Sequence, residues 1–252
     1  MSDAVSYQAS AGVATLTMDQ PDTRNALTPA LVEGLSEGLD RALGDRSARV
    51  VVLTNRGPAF CAGADLSGRS DPAAKPKVGL DEVLTAILDS PKPVVGRVAG
   101  HCMGGGVGLA AACDLSVAGS GVRFGFTEVR IGVAPAIISV VCLPKLRRSD
   151  ALELFLTGER ISASRAAEVG LITSAVPEEA LDATVSDLVA KLLAGGPGAL
   201  AAAKKLVFAV PGMDRAGAFA WTSELSRSLF ASDEAAEGMA SFRDRRSPTW
   251  VP

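Results

Sequence analysis

The sequence predicts an α/β fold that gives way to an all-helical C-terminal region. Three observations predict it. Short β-branched apolar runs recur through the first 176 residues, helical patterns separate them, and from about residue 178 only helical patterning remains. Alternation of this kind argues for parallel βαβ units.

Residues 13–18 alternate well enough for a strand, and turn residues 19–25 follow. Thr28-Pro29 opens a helix, with Thr as N-cap and Pro in the first turn. Leu31, Leu35, Leu39 and Leu43 give it an apolar stripe. Residues 50–54 read as a buried strand. Residues 67–79, rich in Pro, Gly and Lys, read as a loop, and 80–88 resume a helix that Pro91 and Pro93 end. A second buried strand at 94–99 runs into glycines and then the apolar stretch 107–112, and 114–118 is the next strand. Residues 152–156 are helical, 162–169 form a short helix capped by Ser162, and 172–176 close the alternating part as a strand. Gly195-Gly196-Pro197-Gly198 interrupts the helical remainder. This divides the chain into a core domain, 1–195, and a helical subdomain, 196–252. No internal repeat is visible.

Composition narrows the function classes. Hydrophobic residues make up 48% and charged residues 21%, a globular balance; at 4% aromatic the core must be built from Ala, Val, Leu and Ile. The net charge of −3 and the scattered basic residues exclude a nucleic-acid surface. The densest basic group is Arg243, Arg245 and Arg246. Cys61, Cys102, Cys113 and Cys142 form no CxxC pair, and His101 is the single histidine, so no metal site is expected. Free thiols fit a reducing compartment. The polar residues 1–11 lack a signal core, and no uninterrupted apolar run reaches the ~20 residues of a membrane span. A soluble, cytoplasmic protein is expected.

Two stretches have a composition that packing alone does not explain. Ala59-Phe60-Cys61-Ala62-Gly63-Ala64-Asp65-Leu66 follows one buried strand, and Gly100-His101-Cys102-Met103-Gly104-Gly105-Gly106-Val107-Gly108-Leu109 follows another. Small residues where a chain leaves a sheet let backbone N–H groups approach a ligand. The second stretch leads into an apolar helix, whose free N–H groups favour a negative oxygen. A sharp turn or tight helix packing would also use these glycines. The spacing is not the GxGxxG of dinucleotide-binding folds, and no GxSxG elbow is present.

In this order the two stretches resemble the signature of the enoyl-CoA hydratase/isomerase (crotonase) family. Four more segments resemble it: Arg24-Asn25-Ala26-Leu27; Phe124-Gly125-Phe126-Thr127-Glu128 with Gly132 and Pro135; Leu156-Thr157-Gly158 through Ala166 to Leu171; and Phe242 to Pro248. The resemblance spans nearly the whole chain. It implies a crotonase-type spiral of ββα turns, an acyl-CoA thioester substrate, no cofactor apart from the coenzyme A that belongs to that substrate, and a homotrimer or hexamer.

Carried over residue by residue, the resemblance makes the N–H groups of Ala64 and Gly105 an oxyanion hole for the thioester oxygen. It lays coenzyme A along Arg24, Ala26, Ala62, Ala64, Asp65 and Leu66, with Arg245 and Arg246 as further partners for a phosphate. Glu128 matches one catalytic glutamate of the family's hydratases; the other falls at Gly108. A single glutamate is also what a double-bond isomerase needs, and the surroundings of Glu128 resemble bacterial members assigned to methylglutaconyl-CoA hydration. Phe124, Phe126 and Ile131 are expected to wall Glu128 and raise its pKa by desolvation. Hydration is the favoured reading, with delta3-delta2-enoyl-CoA isomerisation second and a non-catalytic acyl-CoA-binding protein third. His101 matches no catalytic position and is read as structural. The loop 67–79 is expected to line the acyl pocket, and Trp221, Leu225, Leu229 and Phe230 to meet either a neighbour or the chain itself.

Overall fold

The chain opens on a hairpin that the sequence pattern does not reveal. In a computed structural model, which describes residues 4–66 and 77–251, β1 (Val5–Ser10) pairs antiparallel with β2 (Val13–Met18). Ala11 and Gly12 both take positive φ in the two-residue connection, the backbone a tight hairpin demands. β1 is an edge strand with most of its side chains exposed or half-exposed, so it carries no apolar alternation to read.

Helix α1 (Pro29–Gly44) starts where Thr28 caps it: the Thr28 hydroxyl accepts the Leu31 N–H at 3.2 Å, and Leu31, Leu35 and Leu39 are buried. There follow β3 (Val50–Asn55), β4 (Ala59–Cys61) and α2 (Leu80–Asp89); then β5 (Val94–Val98), β6 (His101–Met103) and α3 (Gly105–Ala112); then β7 (Leu115–Gly119), β8 (Arg123–Gly125) and α4 (Ala136–Cys142). Each group has the order strand, strand, helix. The first strands pair in parallel in one sheet, β3 with β5 and β5 with β7. The second strands pair in parallel in another, β4 with β6 and β6 with β8. The chain therefore advances by one strand in each sheet with every turn, which is a spiral of ββα turns.

Helix α5 (Arg148–Thr157), β9 (Arg160–Ser162), α6 (Ala163–Glu168), β10 (Ser174–Val176) and α7 (Leu181–Ala194) complete the core. Among the described residues the sheet orders are β1-β2-β3-β5-β7-β10 and β4-β6-β8-β9, with β9 antiparallel to β8. The second sheet is built from three-residue strands, too short for a periodic signal. Strand β10 begins at Ser174 rather than 172, because Leu171 and Ile172 still pack into the core at the end of α6.

β3 is buried on both faces. Val51 and Leu53 point into the main core with α1, α2 and α3, while Val50 and Val52 join Val95 and Val117 under Leu181, Val185, Val189 and Leu193 of α7. Each such side chain contributes roughly 1.5–3 kcal/mol of burial, which fixes α7 across the back of the sheet.

After the break at Gly195–Gly196 come α8 (Pro197–Ala209), α9 (Arg215–Phe230) and α10 (Asp233–Asp244). Among their residues only Ser241 is buried. Polar ties hold them to the core. Lys204 on α8 donates to Ile87 O at 2.8 Å and Asp114 Oδ2 at 2.9 Å; Arg49 donates to Leu193 O at 2.9 Å and also to Trp250 O. Asp114 anchors the start of β5 as well, accepting the Val94 N–H at 2.7 Å.

Candidate active site

The two glycine-rich stretches lie against each other because they lack side chains at the points of approach. A Cβ on Gly63 would sit 2.8 Å from Met103 O, and one on Gly106 would sit 2.4 Å from Cys61 O. Gly63 also has φ +87°, which L-residues rarely adopt. Beside this contact opens a cleft of about 330 Å³, lined by Ala62, Gly63, Ala64 and Leu66 on one side and Gly104 and Gly105 on another. Glu128 and Ile131 face it from the turn after β8, and Pro135, Ile137 and Ile138 from the start of α4, with Leu27 and Leu80 completing the wall.

Ala64 and Gly105 thus border one cavity. Gly105 is the first residue of α3, so its N–H precedes the helix's own hydrogen bonding. Ala64 lies in a single parallel bridge to Leu27. Among the described residues neither N–H has an acceptor.

Glu128 sits in a 3-10 turn, Thr127–Ile131, directly after β8. Its Oε1 lies 3.1 Å from where a Cβ on Gly104 would be, so the carboxylate is aimed at the glycine turn. Its Oε2 is buried without a hydrogen-bond partner among the described residues. Burial pushes the Glu128 pKa up, and a hydrogen bond from its own backbone N–H opposes this weakly. The expected wall needs one correction. Ile131 does line the cleft, but Phe124 and Phe126 are fully buried in the core and do not line it, Phe126 meeting Phe155 at a tilt with ring centroids 4.4 Å apart. Phe124 on β8 and Phe126 just after it, two residues apart, both turn to the core.

No side chain could stand at position 108 without rearrangement. A Cβ on Gly108 would lie 2.3 Å from Ile138 Cγ2 and 2.9 Å from Ile138 Cβ. Ile138 fills that place, and Glu128 is the one carboxylate among the described residues that line the cleft.

Of the residues assigned to coenzyme A, Ala62, Ala64 and Leu66 line the cleft, whereas Arg24, Ala26 and Asp65 do not. Arg24 reaches the site through its backbone: its carbonyl accepts the Ala62 N–H at 3.1 Å, while its own φ is +56°. Ala26 is buried. Arg246 is engaged by Glu237 in a two-pronged pair at 2.7 and 2.8 Å. Residues 67–76 of the expected pocket loop lie outside the described residues. His101 does not line the cleft; its Nδ1 accepts the Arg123 N–H at 3.2 Å. The Cys61 thiol is pushed up to about 12 by burial, which removes it as a nucleophile beside the site.

Sequence reasoning placed Asn25 in the 24–27 segment but gave it no role of its own. It is fully buried with φ +51°. Its Oδ1 accepts the Gln20 N–H at 2.7 Å, and its Nδ2 donates to Arg56 O at 3.0 Å and Ala59 O at 2.8 Å. It ties the 20–27 turn to the strand that delivers Ala64. The available signal was an Asn in a turn, the residue best suited to left-handed backbone after Gly.

The chain matches the enoyl-CoA hydratase/isomerase family model over residues 8–251. Among solved structures it is similar to an enoyl-CoA hydratase of Mycobacterium smegmatis, with 32% identity, 99% of both chains covered and a TM-score of 0.91. An enoyl-CoA hydratase of Mycobacterium avium is 42% identical over 99% of this chain and 100% of the other, with a TM-score of 0.74. The 2,3-dehydroadipyl-CoA hydratase of Escherichia coli is 31% identical over 94% of each chain. The spiral of ββα turns is accordingly the crotonase fold, and the chain belongs to the enoyl-CoA hydratase/isomerase family as an enzyme.

Proposed function

We propose that the protein hydrates an enoyl-CoA thioester with Glu128 as its acid/base. The observation that carries the reading is that one cleft is bordered, among the described residues, by two backbone N–H groups without acceptors and by one half-buried carboxylate. The thioester oxygen would accept from the Ala64 and Gly105 N–H groups. Each such donor, fixed before reaction, is worth roughly 3 kcal/mol of barrier as charge develops on that oxygen. Ionised Glu128 takes a proton from water as the water oxygen bonds to C3 of the enoyl group. The resulting enolate then takes the proton back from Glu128 at C2. The product is the 3-hydroxyacyl thioester, and the carboxylate is restored. Burial raises the Glu128 pKa, the direction that suits a group that must both accept and return a proton.

A second reading follows from Ile138 standing where a side chain at 108 would be. With one carboxylate in an apolar cleft, Glu128 could instead remove a C2 proton from a 3-enoyl thioester and return it to C4, an isomerase reaction that consumes no water. Purified protein offered 2-enoyl and 3-enoyl thioesters separates the two. A Glu128-dependent gain of one water establishes the hydratase, and conversion of 3-enoyl to 2-enoyl without water gain the isomerase. Saturable binding without any product would leave an acyl-CoA-binding protein.

A homotrimer or hexamer in the cytoplasm completes the proposal, with no metal or redox cofactor. Phe219, Phe230 and Phe242 are each more than two-thirds exposed on α9 and α10, an apolar surface that a second copy would cover. A monomer in sedimentation equilibrium would end that part of the reading.

A further inference from the structure

We propose that the acyl pocket takes an uncharged hydrocarbon acyl group and rejects one ending in a carboxylate. This rests on the reading above, that the cleft beside Glu128 holds the acyl part of a thioester.

The wall facing Ala64 and Gly105 is aliphatic. Ile131, Val133 and Ile137 line it, each about half exposed at 56%, 53% and 50%, with Leu80 and Pro135 beside them. Half-exposed branched side chains gathered in one concavity gain most from an apolar tail laid over them. Glu128 is the only titratable side chain among the described lining residues. A terminal carboxylate on the acyl group would meet no cation among the described lining residues, would be partly stripped of water against the aliphatic wall, and would share the cleft with a second negative charge. Arg130, next to Ile131 in the chain, is held elsewhere by Glu159 and by Thr157 O at 3.3 Å.

The test compares two pairs of thioesters of equal length. Hexanoyl-CoA and adipyl-CoA, both saturated and unreactive, are titrated calorimetrically; 2-hexenoyl-CoA and 2,3-dehydroadipyl-CoA are compared by kcat/KM. The cleft is open to solvent, so the expected preference for the methyl-terminated member is at least ~10-fold in Kd. Ile137→Lys, which offers a cation from the wall, is expected to narrow or reverse it. Equal affinity, or tighter adipyl-CoA binding, overturns the proposal. So does a preference that Ile137→Lys leaves unmoved, because the acyl tail would then lie elsewhere. An adipyl-CoA preference lost in Arg69→Ala/Lys75→Ala would assign a cation to residues 67–76 and also overturn it. If neither enoyl thioester is turned over, the hydration reading fails while the binding comparison still decides this one.

Discussion

Replacing Glu128 by Gln should stop the reaction and stabilise the protein. One oxygen of Glu128 is buried without a partner, and burial raises its pKa, so the ionised carboxylate is held at a cost. A buried group without a hydrogen bond costs ~1–3 kcal/mol, more when charged. Glu128 is only half-buried and solvent screens the rest, which brings the gain from a neutral isostere to ~1 kcal/mol. For a chain of this size that is a rise of ~2–4 °C in Tm. The pH dependence has a fixed sign. Below the unfolded-state pKa both states carry a protonated Glu128 and the difference between wild type and Glu128→Gln vanishes. Between that value and the elevated folded-state pKa the variant's advantage opens, and above the folded-state pKa, where the folded wild type bears the full cost of the charge, it levels off. Urea unfolding of both proteins at equal concentration, from pH 4 to 8, reads this directly, alongside turnover reduced by ~100-fold or more. A variant less stable than wild type at pH 8, or an advantage that shrinks as pH rises, would refute the argument that Glu128 is a strained, function-bearing charge.

Other perturbations have equally definite outcomes. Gly108→Ala should cost ~1–3 kcal/mol in urea unfolding, because its Cβ enters the space of Ile138 Cγ2, and Gly108→Ala/Ile138→Ala should recover part of the loss. Lys204→Met should cost ~3 kcal/mol by leaving Asp114 largely buried without its cation, and Lys204→Met/Asp114→Asn should cost less than the two single changes summed. Asn25→Ala removes three hydrogen bonds at a buried position of positive φ. It should lower stability by ~3 kcal/mol and reduce kcat/KM through displacement of Ala64, with the far side of the molecule unchanged in hydrogen exchange.

What could be read from the sequence divides by the length of the signal. α1 declares itself through Thr28-Pro29 and four leucines at one spacing, and β3 through a short β-branched apolar run. The second sheet could not be read from periodicity, since Ala59–Cys61, His101–Met103 and Arg123–Gly125 are each too short to show a period. Its existence follows from glycines that let one ββα turn nest on the next. The glycine stretches and Glu128 were legible as motifs. The aliphatic wall was not, because Val133 and Ile137 look like ordinary apolar residues until the fold turns them to the cleft. Asn25 was hidden for a related reason: its three partners lie 5 to 34 positions away.

The pairing of Gly108 with Ile138 bears on how such a site can change over time. A lineage that gained a side chain at 108 while Ile138 remained would crowd the core, and one that shortened Ile138 first would open a void next to the reacting centre. Either single step is expected to cost stability unless the other accompanies it. Positions 108 and 138 are therefore coupled by shape: a side chain at 108 needs a smaller residue at 138, whereas the half-exposed Ile131, Val133 and Ile137 can change without that constraint.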